Sequence, residues 1–376
     1  MSKKITLFTL QSFSTTGGIQ KMTRTLGYSL YRIALRNNWN FKMISGYDSD
    51  QHLMPQYLPA EAFEGYNADR FKFVIKALQL AYDSDIVILT HINLSLVGLL
   101  LKLINPKCQV WLVAHGIEVW RPLGFFKKAL LKRCDKIICV SNFTKQQMIS
   151  WHKVNKDVCT VLNNVVDPFM TFPVSFEKPQ HLLNKYHLTG DEPIIFTLTR
   201  LAVTEQYKGH EQVIIAINKL KTTFPDIKYI LSGKYDADEE IRIRELIKAN
   251  NAEEQVILTG FIDEKELSDH FLLADLFVLP SKKEGFGIVF IEALACGLPV
   301  ICGNADGSID AIRNGELGTA IDVNDLRQLE EAIAENLHVP LSIKKREHLQ
   351  RQCLLQFNEL DYRNNLQRLL NDGANG

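Results

Sequence analysis

Two glutamates, Glu284 and Glu292, have the clearest chemical potential in this chain, because a glycine-containing loop and a predicted helix connect them. The helix is predicted from about Gly287 to Ala295, between a strand ending at Leu279 and the stop signals Gly297 and Pro299. The main-chain amides of residues 285–288 at the helix start would attract a diphosphate, and glycine lets a ligand approach the backbone closely. Glu284 could accept hydrogen bonds from sugar hydroxyls, and Glu292 from both hydroxyls of a ribose.

Each glutamate also has an ordinary explanation, Glu284 as a surface loop residue and Glu292 as a solvated helix position. The surroundings of Glu292 weaken the second explanation, because its neighbours are almost all apolar: Ile288, Val289, Phe290, Ile291, Ala293 and Leu294. A carboxylate in so apolar a helix needs a polar partner. The sequence therefore favours a binding role for Glu292.

Two cations, Arg200 and Lys208, follow the first predicted strand of the second half and precede a helix. Cations near strand ends can clamp a diphosphate and stabilise it as it leaves with added negative charge. Gly233 follows the next strand, and Gly260-Phe261 the one after, in similar loops. Taken alone, each of these segments is also typical of an ordinary solvated loop.

Composition sets the class of protein. The chain has 376 residues, 46% of them apolar and 23% charged, which is typical of a globular protein of two domains. Lys plus Arg equals Asp plus Glu at 43 each, so no global charge points to a nucleic-acid partner. Seven cysteines without a CxxC motif, and an N-terminus without a signal-peptide pattern, favour buried thiols in the cytoplasm over zinc sites or disulfides.

Short apolar runs alternate with helical patterns along the chain, which predicts an α/β protein with doubly wound parallel sheets. The predicted strands are Ile5–Leu10, Phe41–Ser45, Ile86–Thr90, Gln109–Ala114, Lys136–Val140, Thr160–Leu162, Ile194–Thr199, Lys228–Ser232, Val256–Thr259, Leu276–Leu279 and Val300–Cys302. The proline-rich stretch that follows Asn163 interrupts the alternation. We predict a domain over 1–165, a linker over 166–192 with a short helix near Leu182–Tyr186, a second domain over 193–342, and closing helices over 343–376.

Together these residues resemble the retaining GT-B glycosyltransferases usually called family four. The matching pieces are Glu284-Gly-Phe-Gly…Glu292-Ala…Gly-Leu-Pro-Val, Arg200-Leu…Lys208-Gly, Gly17-Gly18 after the first strand, His115-Gly-Ile-Glu118, Val140-Ser-Asn-Phe-Thr144 and Asn163-Asn164-Val-Val-Asp167. The resemblance implies two Rossmann-like domains with parallel sheets facing across a cleft, the first on the acceptor side and the second binding a nucleotide sugar. It further implies retaining transfer of a hexose from a UDP- or GDP-sugar to a glycan or lipid-linked glycan in cell-surface polysaccharide synthesis.

The resemblance also assigns roles to individual residues. Arg200 and Lys208 would bind the diphosphate, Glu292 the ribose, and Glu284 and His115 the transferred sugar. The remaining donor-binding positions would be Gly17, Gly18, Gly233, Gly260, Phe261, Gly285, Phe286, Gly287 and Ile288. A histidine after a strand is also often a hydrogen-bonded structural residue.

Two departures from the family pattern concern the donor. The loop between Arg200 and Lys208 is longer than the commonest family form, and Asp306-Gly307-Ser308 stands where many members have a Gly-Gly pair followed by Glu. The resemblance therefore leaves the donor sugar open.

Metal and cofactor signals are weak. Asp-x-Asp occurs three times, at Asp48/Asp50, Asp83/Asp85 and Asp236/Asp238. We interpret these aspartates as solvated and predict no required metal. Gly17-Gly18 is not a GxGxxG fingerprint, so we predict no nicotinamide cofactor. We predict no other cofactor either.

Some alternatives stay open. The segment Leu123–Arg133 combines apolar and basic residues at helical spacing. This pattern suits either a helix that lies on the anionic inner face of the plasma membrane or a helix that packs on its own sheet. Residues Ile86 to Ile104 are interpreted as a strand and a buried helix rather than a membrane span. Rival functions are a sugar-nucleotide epimerase of related fold and a non-catalytic nucleotide-sugar-binding protein.

Overall fold

The computed structural model describes residues 2–372, whose contacts divide the chain into two compact units. Unit 1 comprises Met1–Phe169 together with Phe357–Gly376, and unit 2 comprises Met170–Gln356. Each unit is a parallel β-sheet with helices, and each has its own apolar core.

Unit 1 contains a seven-stranded sheet in the order β3-β2-β1-β4-β5-β6-β7, with every neighbouring pair parallel. The strands are β1 (Lys4–Thr9), β2 (Asn40–Ser45), β3 (Phe63–Gly65), β4 (Ile86–Leu89), β5 (Gln109–Ala114), β6 (Lys136–Cys139) and β7 (Cys159–Val161). The helices that connect them are α1 (Gly18–Asn37), α2 (Arg70–Tyr82), α3 (Ser95–Ile104), α4 (Phe125–Leu131) and α5 (Asn142–His152). The central strand β4 is buried at every position, as expected for a sheet covered on both faces.

Unit 2 contains a six-stranded parallel sheet in the order β10-β9-β8-β11-β12-β13. Its strands are β8 (Ile194–Leu198), β9 (Lys228–Ser232), β10 (Val256–Gly260), β11 (Leu276–Leu279), β12 (Val300–Gly303) and β13 (Thr319–Ile321). Its helices are α6 (Gln180–Tyr186), α7 (His210–Leu220), α8 (Ala237–Ala249), α9 (Leu267–Leu273), α10 (Ile288–Ala295), α11 (Ser308–Ala311), α12 (Leu326–His338) and α13 (Ile343–Gln356).

The last two helices belong to different units. Helix α13 packs on α10 of unit 2, where the Cys353 thiol donates to Ile291 O at 3.3 Å. Helix α14 (Glu359–Asp372) packs on α1 of unit 1, where Ser29 Oγ donates to Glu359 Oε1 at 2.7 Å. The segment 343–376, which the sequence groups as one set of closing helices, is thus divided after Gln356, and residues 373–376 lie outside the described part.

The predicted strands are all present, with ends that differ by at most one residue. Two further strands, β3 and β13, are not predicted, because each has three residues of which only one is a large apolar residue. The short helix predicted near Leu182–Tyr186 is α6, and it lies in unit 2.

Helix α3 differs from its predicted environment. The segment Ile86–Ile104 forms a strand and a helix, as expected, but α3 is buried on one side only and leaves Leu96 and Leu103 exposed. Helix α4, in the segment Leu123–Arg133, buries Leu130 and Leu131 and exposes Phe125 and Phe126. Within residues 2–372, no helix combines the length and apolarity that crossing a membrane requires.

Candidate functional site

The carboxyl ends of the strands of unit 2 carry the predicted polar loops at one edge of the sheet. Because β8 lies beside β11, and β11 beside β12, the loops that follow these three strands are neighbours in space. They carry Lys208, Glu284 and Asp306 respectively. Strand order therefore assembles the site from segments far apart in the sequence.

Lys208 and Glu284 form an ion pair at this edge, with the Lys208 ammonium donating to Glu284 Oε1. Their side chains are only 12% and 16% exposed. Burial by itself lowers the pKa of Lys208, but the adjacent Glu284 carboxylate outweighs burial and raises the pKa above its usual value. Lys208 is therefore a cation at neutral pH, held beside the predicted sugar-binding carboxylate.

Main-chain contacts bring these two loops together. Lys282 N–H donates to Tyr207 O at 2.8 Å. Gly209 has φ +83°, and a Cβ at this position would lie 2.3 Å from Pro280 O. Only glycine permits so close an approach in this backbone conformation, so Gly209 fixes the distance from Lys208 to the loop of Glu284.

Arg200 is less constrained than Lys208. Its side chain is 68% exposed, and Nη1 donates to Glu205 Oε1 at 3.2 Å. The neighbouring strand ends carry the other predicted positions: Gly233 N–H donates to Gly260 O at 2.9 Å, and Phe261 is exposed. Arg200 can therefore reorient toward a ligand at modest cost, because an exposed ion pair contributes little stability.

Helix α10 begins directly after the loop of Glu284. Gly287 is its N-cap residue, while Phe286 and Ile288 are buried and anchor the first turn. Helix α10 therefore begins at the same edge of the sheet as Lys208, and a helix N-terminus favours an anion. Glu292 is 3% exposed, so its alternative explanation as a solvated helix position is wrong.

Asp306 is a site residue to which the sequence assigned no role, although it was noted as a departure from the family pattern. It is 2% exposed. Its Oδ2 accepts from Glu284 N–H at 2.6 Å, and its Oδ1 accepts from Ser308 N–H at 2.9 Å. Gly307 N–H donates to Glu284 O at 2.8 Å, and a Cβ on Gly307 would lie 2.1 Å from Gly285 O. Asp306 and Gly307 together hold the Glu284 loop against the end of β12.

The carboxyl of Asp306 should titrate near neutrality. Burial, and secondarily the charge of Glu284, raise its pKa to about 7. A raised pKa in the folded state gives a stabilisation that is complete below about pH 4 and is lost as pH rises through about 7.

Ionisation of Asp306 is therefore expected to lower the free energy of unfolding by about 1.4 kcal/mol between pH 6 and pH 8. The same aspartate in the unfolded chain is already ionised in that range, so only the folded state releases a proton. Asp306→Asn should remove this part of the pH dependence, whatever its effect on absolute stability. Thermal unfolding at both pH values measures the difference, with the exposed Asp226→Asn as control. Equal pH slopes in the wild type and Asp306→Asn would contradict the assignment.

In unit 1, Gly17 and Gly18 lie at the start of α1, with Gly17 as a fully extended N-cap residue. His115 follows β5, and its Nε2 lies 3.1 Å from Thr90 O. Burial, assisted by the nearby His91, lowers the pKa of His115 to about 4. The ring is therefore neutral at pH 7, and since a carbonyl only accepts, Nε2–H donates to Thr90 O and leaves Nδ1 as an acceptor.

His91 is a second histidine in unit 1 that the sequence reasoning missed. Its Nδ1 accepts from Asn93 N–H at 3.0 Å, and Lys127 Nζ lies 2.5 Å from Asn93 Oδ1. Burial, together with the charges of Lys127 and Arg121, lowers the pKa of His91 to about 4. His91 lies two residues after β4 and His115 directly after β5, so the two histidines follow neighbouring strands of the sheet.

One aspartate of each Asp-x-Asp pair makes a structural contact. Asp48 is fully buried rather than solvated, which corrects the sequence interpretation, and it accepts from Ser12 N–H at 2.7 Å and Ser14 N–H at 2.8 Å. Asp83 pairs with Lys4, and Asp236 caps α8 by accepting from Glu239 N–H at 2.9 Å. In the described part of the chain, no cluster of three or more His, Cys, Asp or Glu side chains is arranged to hold a metal ion.

Both halves of the chain match families of known proteins. The family described as "Glycosyl transferases group 1" matches residues 180–353, and "Glycosyltransferase Family 4" matches residues 36–168. The GDP-mannose-dependent α-(1-6)-phosphatidylinositol monomannoside mannosyltransferase of Mycolicibacterium smegmatis is 28% identical over 238 residues. That alignment covers 60% of this chain and 60% of the mannosyltransferase.

Solved structures share the fold over almost the whole chain. Sucrose-phosphate synthase from Thermosynechococcus elongatus superposes with a TM-score of 0.76 at 22% identity, covering 98% of each chain. Anabaena HepE, solved in complex with UDP, gives a TM-score of 0.76 at 18% identity over 98% of this chain and 100% of its own. The shared fold shows two Rossmann-like domains of the GT-B type. The two family matches, over residues 36–168 and 180–353, show that this chain belongs to the group 1, family four glycosyltransferases.

Proposed function

We propose that this protein is a retaining glycosyltransferase that transfers a hexose from a UDP- or GDP-sugar to a hydroxyl of a glycan or lipid-linked glycan in cell-surface polysaccharide synthesis. The observation that carries the proposal is the buried pair of Lys208 and Glu284, placed with Arg200 and the start of α10 at one edge of the unit 2 sheet. Two cations and a helix N-terminus suit a diphosphate, and the carboxylate beside them suits sugar hydroxyls.

The base of the donor nucleotide is proposed to be either uracil or guanine. The mycobacterial relative is described as GDP-mannose-dependent, and HepE was solved with UDP. The buried Glu292 would accept hydrogen bonds from the ribose, which is common to both nucleotides. Ribose recognition therefore supports a nucleotide sugar without selecting its base.

For the chemical step we propose that no side chain acts as a nucleophile. The oxygens of Asp306 accept backbone hydrogen bonds, and Glu284 is paired with Lys208. The bond from the anomeric carbon to the leaving phosphate oxygen breaks, and the acceptor oxygen bonds to the same face of that carbon. The acceptor proton passes to the departing phosphate. Lys208 and Arg200 would stabilise the added negative charge of the diphosphate, which strengthens their interaction in the transition state.

We place the reaction in the cytoplasm. The seven cysteines are all unpaired and buried, which suits a reducing compartment. A lipid-linked acceptor would be reached there from the inner face of the plasma membrane, and the mycobacterial relative is itself named for a phosphatidylinositol mannoside acceptor.

The test is a thermal-shift screen of the purified protein against UDP, GDP, ADP and their common sugar conjugates. A bound donor stabilises the folded state by about 2.7 kcal/mol at a hundred times its dissociation constant. We expect either the UDP or the GDP set to raise the unfolding temperature, and the corresponding donor then to support transfer with retained anomeric configuration by NMR. Epimerised sugar nucleotide released without an acceptor would instead identify an epimerase, and binding without turnover would identify a non-catalytic binding protein.

Transfer should keep its rate in excess EDTA. Lys208, Arg200 and the start of α10 would supply the positive charge for the diphosphate, and Asp48, Asp83 and Asp236 are engaged in structural contacts. A rate series with EDTA, followed by added Mn²⁺ or Mg²⁺, makes the measurement. Loss of transfer on chelation, with recovery on addition of either ion, would show that the phosphate site needs a metal.

A further inference from the structure

The outer side of helix α3 carries an apolar stripe that nothing in residues 2–372 covers. Leu96, Leu100, Leu103 and Ile104 are 52%, 40%, 77% and 43% exposed, while Val97, Gly98 and Leu101 on the other side are buried. The exposed residues recur at helical spacing, so they form one continuous side. An apolar stripe of this length on a surface helix is typical of an interaction site.

The helices on either side of α3 extend this stripe. Helix α3 packs on α2 and on α4, and a Cβ on Gly98 would lie 2.7 Å from Leu130 of α4. On α2, Phe71, Ile75 and Tyr82 are exposed. On α4, Phe125 and Phe126 are 80% and 52% exposed. The outer surface of α2, α3 and α4, hereafter the α2–α4 face, is thus a broad apolar surface.

The three helices of the α2–α4 face carry only basic charged side chains, and the acidic residues at the two ends of α2, Asp69 and Asp83, are paired with Lys72 and Lys4. The three helices contain no Asp or Glu, but they contain Arg70, Lys72, Lys76, Lys102, Lys127 and Lys128. Lys72, Lys76 and Lys102 pair with acids outside these helices. Lys107 just after α3, and Lys128 and Lys132 in and just after α4, form no ion pair among residues 2–372. The face therefore combines exposed apolar side chains with several lysines that have no acidic partner in the described part of the chain.

The corresponding helices of unit 2 provide an internal comparison. Helices α7, α8 and α12 also cover a parallel sheet, but their sequences include eight acidic residues: Glu211, Asp238, Glu239, Glu240, Glu245, Glu330, Glu331 and Glu335. Among these three helices, only Ile241 is a strongly exposed large apolar residue in the described structure. The features of the α2–α4 face are thus not a general property of helices on a sheet.

We propose that the α2–α4 face binds the surface of a bilayer that contains anionic lipids. Apolar side chains would enter the boundary between headgroups and acyl chains, and the lysines would remain at the level of the anionic headgroups. A second copy of the chain is a poorer occupant, because self-association through this face would bring two basic surfaces together. Membrane binding rests on the proposed function in one respect: it would bring the enzyme to a lipid-linked acceptor.

The experiment is co-sedimentation of the full chain with vesicles. Vesicles of equal parts phosphatidylglycerol and phosphatidylcholine should bind the wild type at least about tenfold more tightly than vesicles of phosphatidylcholine alone. The double variant Leu103→Gln/Phe125→Gln, and separately Lys128→Ser/Lys132→Ser, should each weaken binding to the mixed vesicles by about tenfold or more. These side chains are exposed, so folding should be unchanged, and circular dichroism checks this. Ile241→Gln, at 59% exposure in unit 2, is the matched control and should bind as the wild type does.

Three results would overturn the inference. The first is absence of wild-type binding to the mixed vesicles, and the second is equal loss in Ile241→Gln and Leu103→Gln/Phe125→Gln. The third is a wild-type dimer in light scattering that Leu103→Gln/Phe125→Gln dissociates, because a second copy would then cover the face. Calorimetry with UDP and GDP on the same proteins separates this proposal from the proposed function, since nucleotide affinity should be unchanged in every variant.

Discussion

Replacing Lys208 with alanine is expected to slow transfer by about 10²–10³-fold and to weaken binding of the bare nucleoside diphosphate. Lys208 is a nearly buried cation whose pKa is raised by Glu284, so it is charged throughout the working range of pH. A charge-assisted contact to a diphosphate strengthens as the leaving group gains charge, and its loss should therefore cost about 2.7–4 kcal/mol in the transition state. Calorimetry with UDP and GDP, and a transfer assay, measure the two effects separately.

The control must allow for the partner of Lys208. Removal of the lysine leaves the Glu284 carboxylate without its cation in a poorly exposed position, which itself costs stability. Lys208→Ala is therefore compared by circular dichroism and thermal unfolding with Lys248→Ala, which removes an exposed lysine from α8. Arg200→Ala should reduce rate and affinity in the same direction. Unchanged affinity and rate in both Lys208→Ala and Arg200→Ala would show that the diphosphate binds in another part of the protein.

The two glutamates should separate by role. Glu284→Gln keeps an oxygen that can accept from Lys208 but loses the charge, so it should lower turnover by at least about tenfold while largely sparing affinity for the bare nucleoside diphosphate. Glu292→Gln should weaken that affinity, because the ribose hydroxyls lose a charged acceptor that contributes roughly 1.5–3 kcal/mol. Calorimetry and the transfer assay applied to both variants give the comparison.

Stability is the main confounding effect for Glu292, since its side chain is 3% exposed and its replacement changes a buried environment. Glu335→Gln on α12 is an exposed control for loss of one carboxylate, and circular dichroism confirms folding. Loss of nucleotide binding in Glu284→Gln with normal binding in Glu292→Gln would reverse the two roles. Normal binding and turnover in both variants would remove the main support for the donor site.

The sequence by itself determined the elements of this fold and the segments that carry the candidate site. Apolar runs such as Leu276–Leu279 must be buried on both faces, and this requirement sets the strand positions almost to the residue. The loop from Glu284 to Ile288 was placed between strand and helix because glycine and polar residues interrupt two apolar segments. These signals are local, so they can be read without knowing which strands are neighbours.

Tertiary structure alone decided which side chains meet. Lys208 and Glu284 are 76 residues apart in the sequence, and they pair because β8 lies beside β11 in the sheet. Asp306 holds the Glu284 loop for the same reason, since β12 is the next strand beyond β11. The exposure of Leu103 on α3, and the separation of α13 from α14, likewise depend on what packs against each helix. Burial and ion pairing are properties of neighbours in space, and strand order sets those neighbours through long-range packing that local sequence patterns do not record.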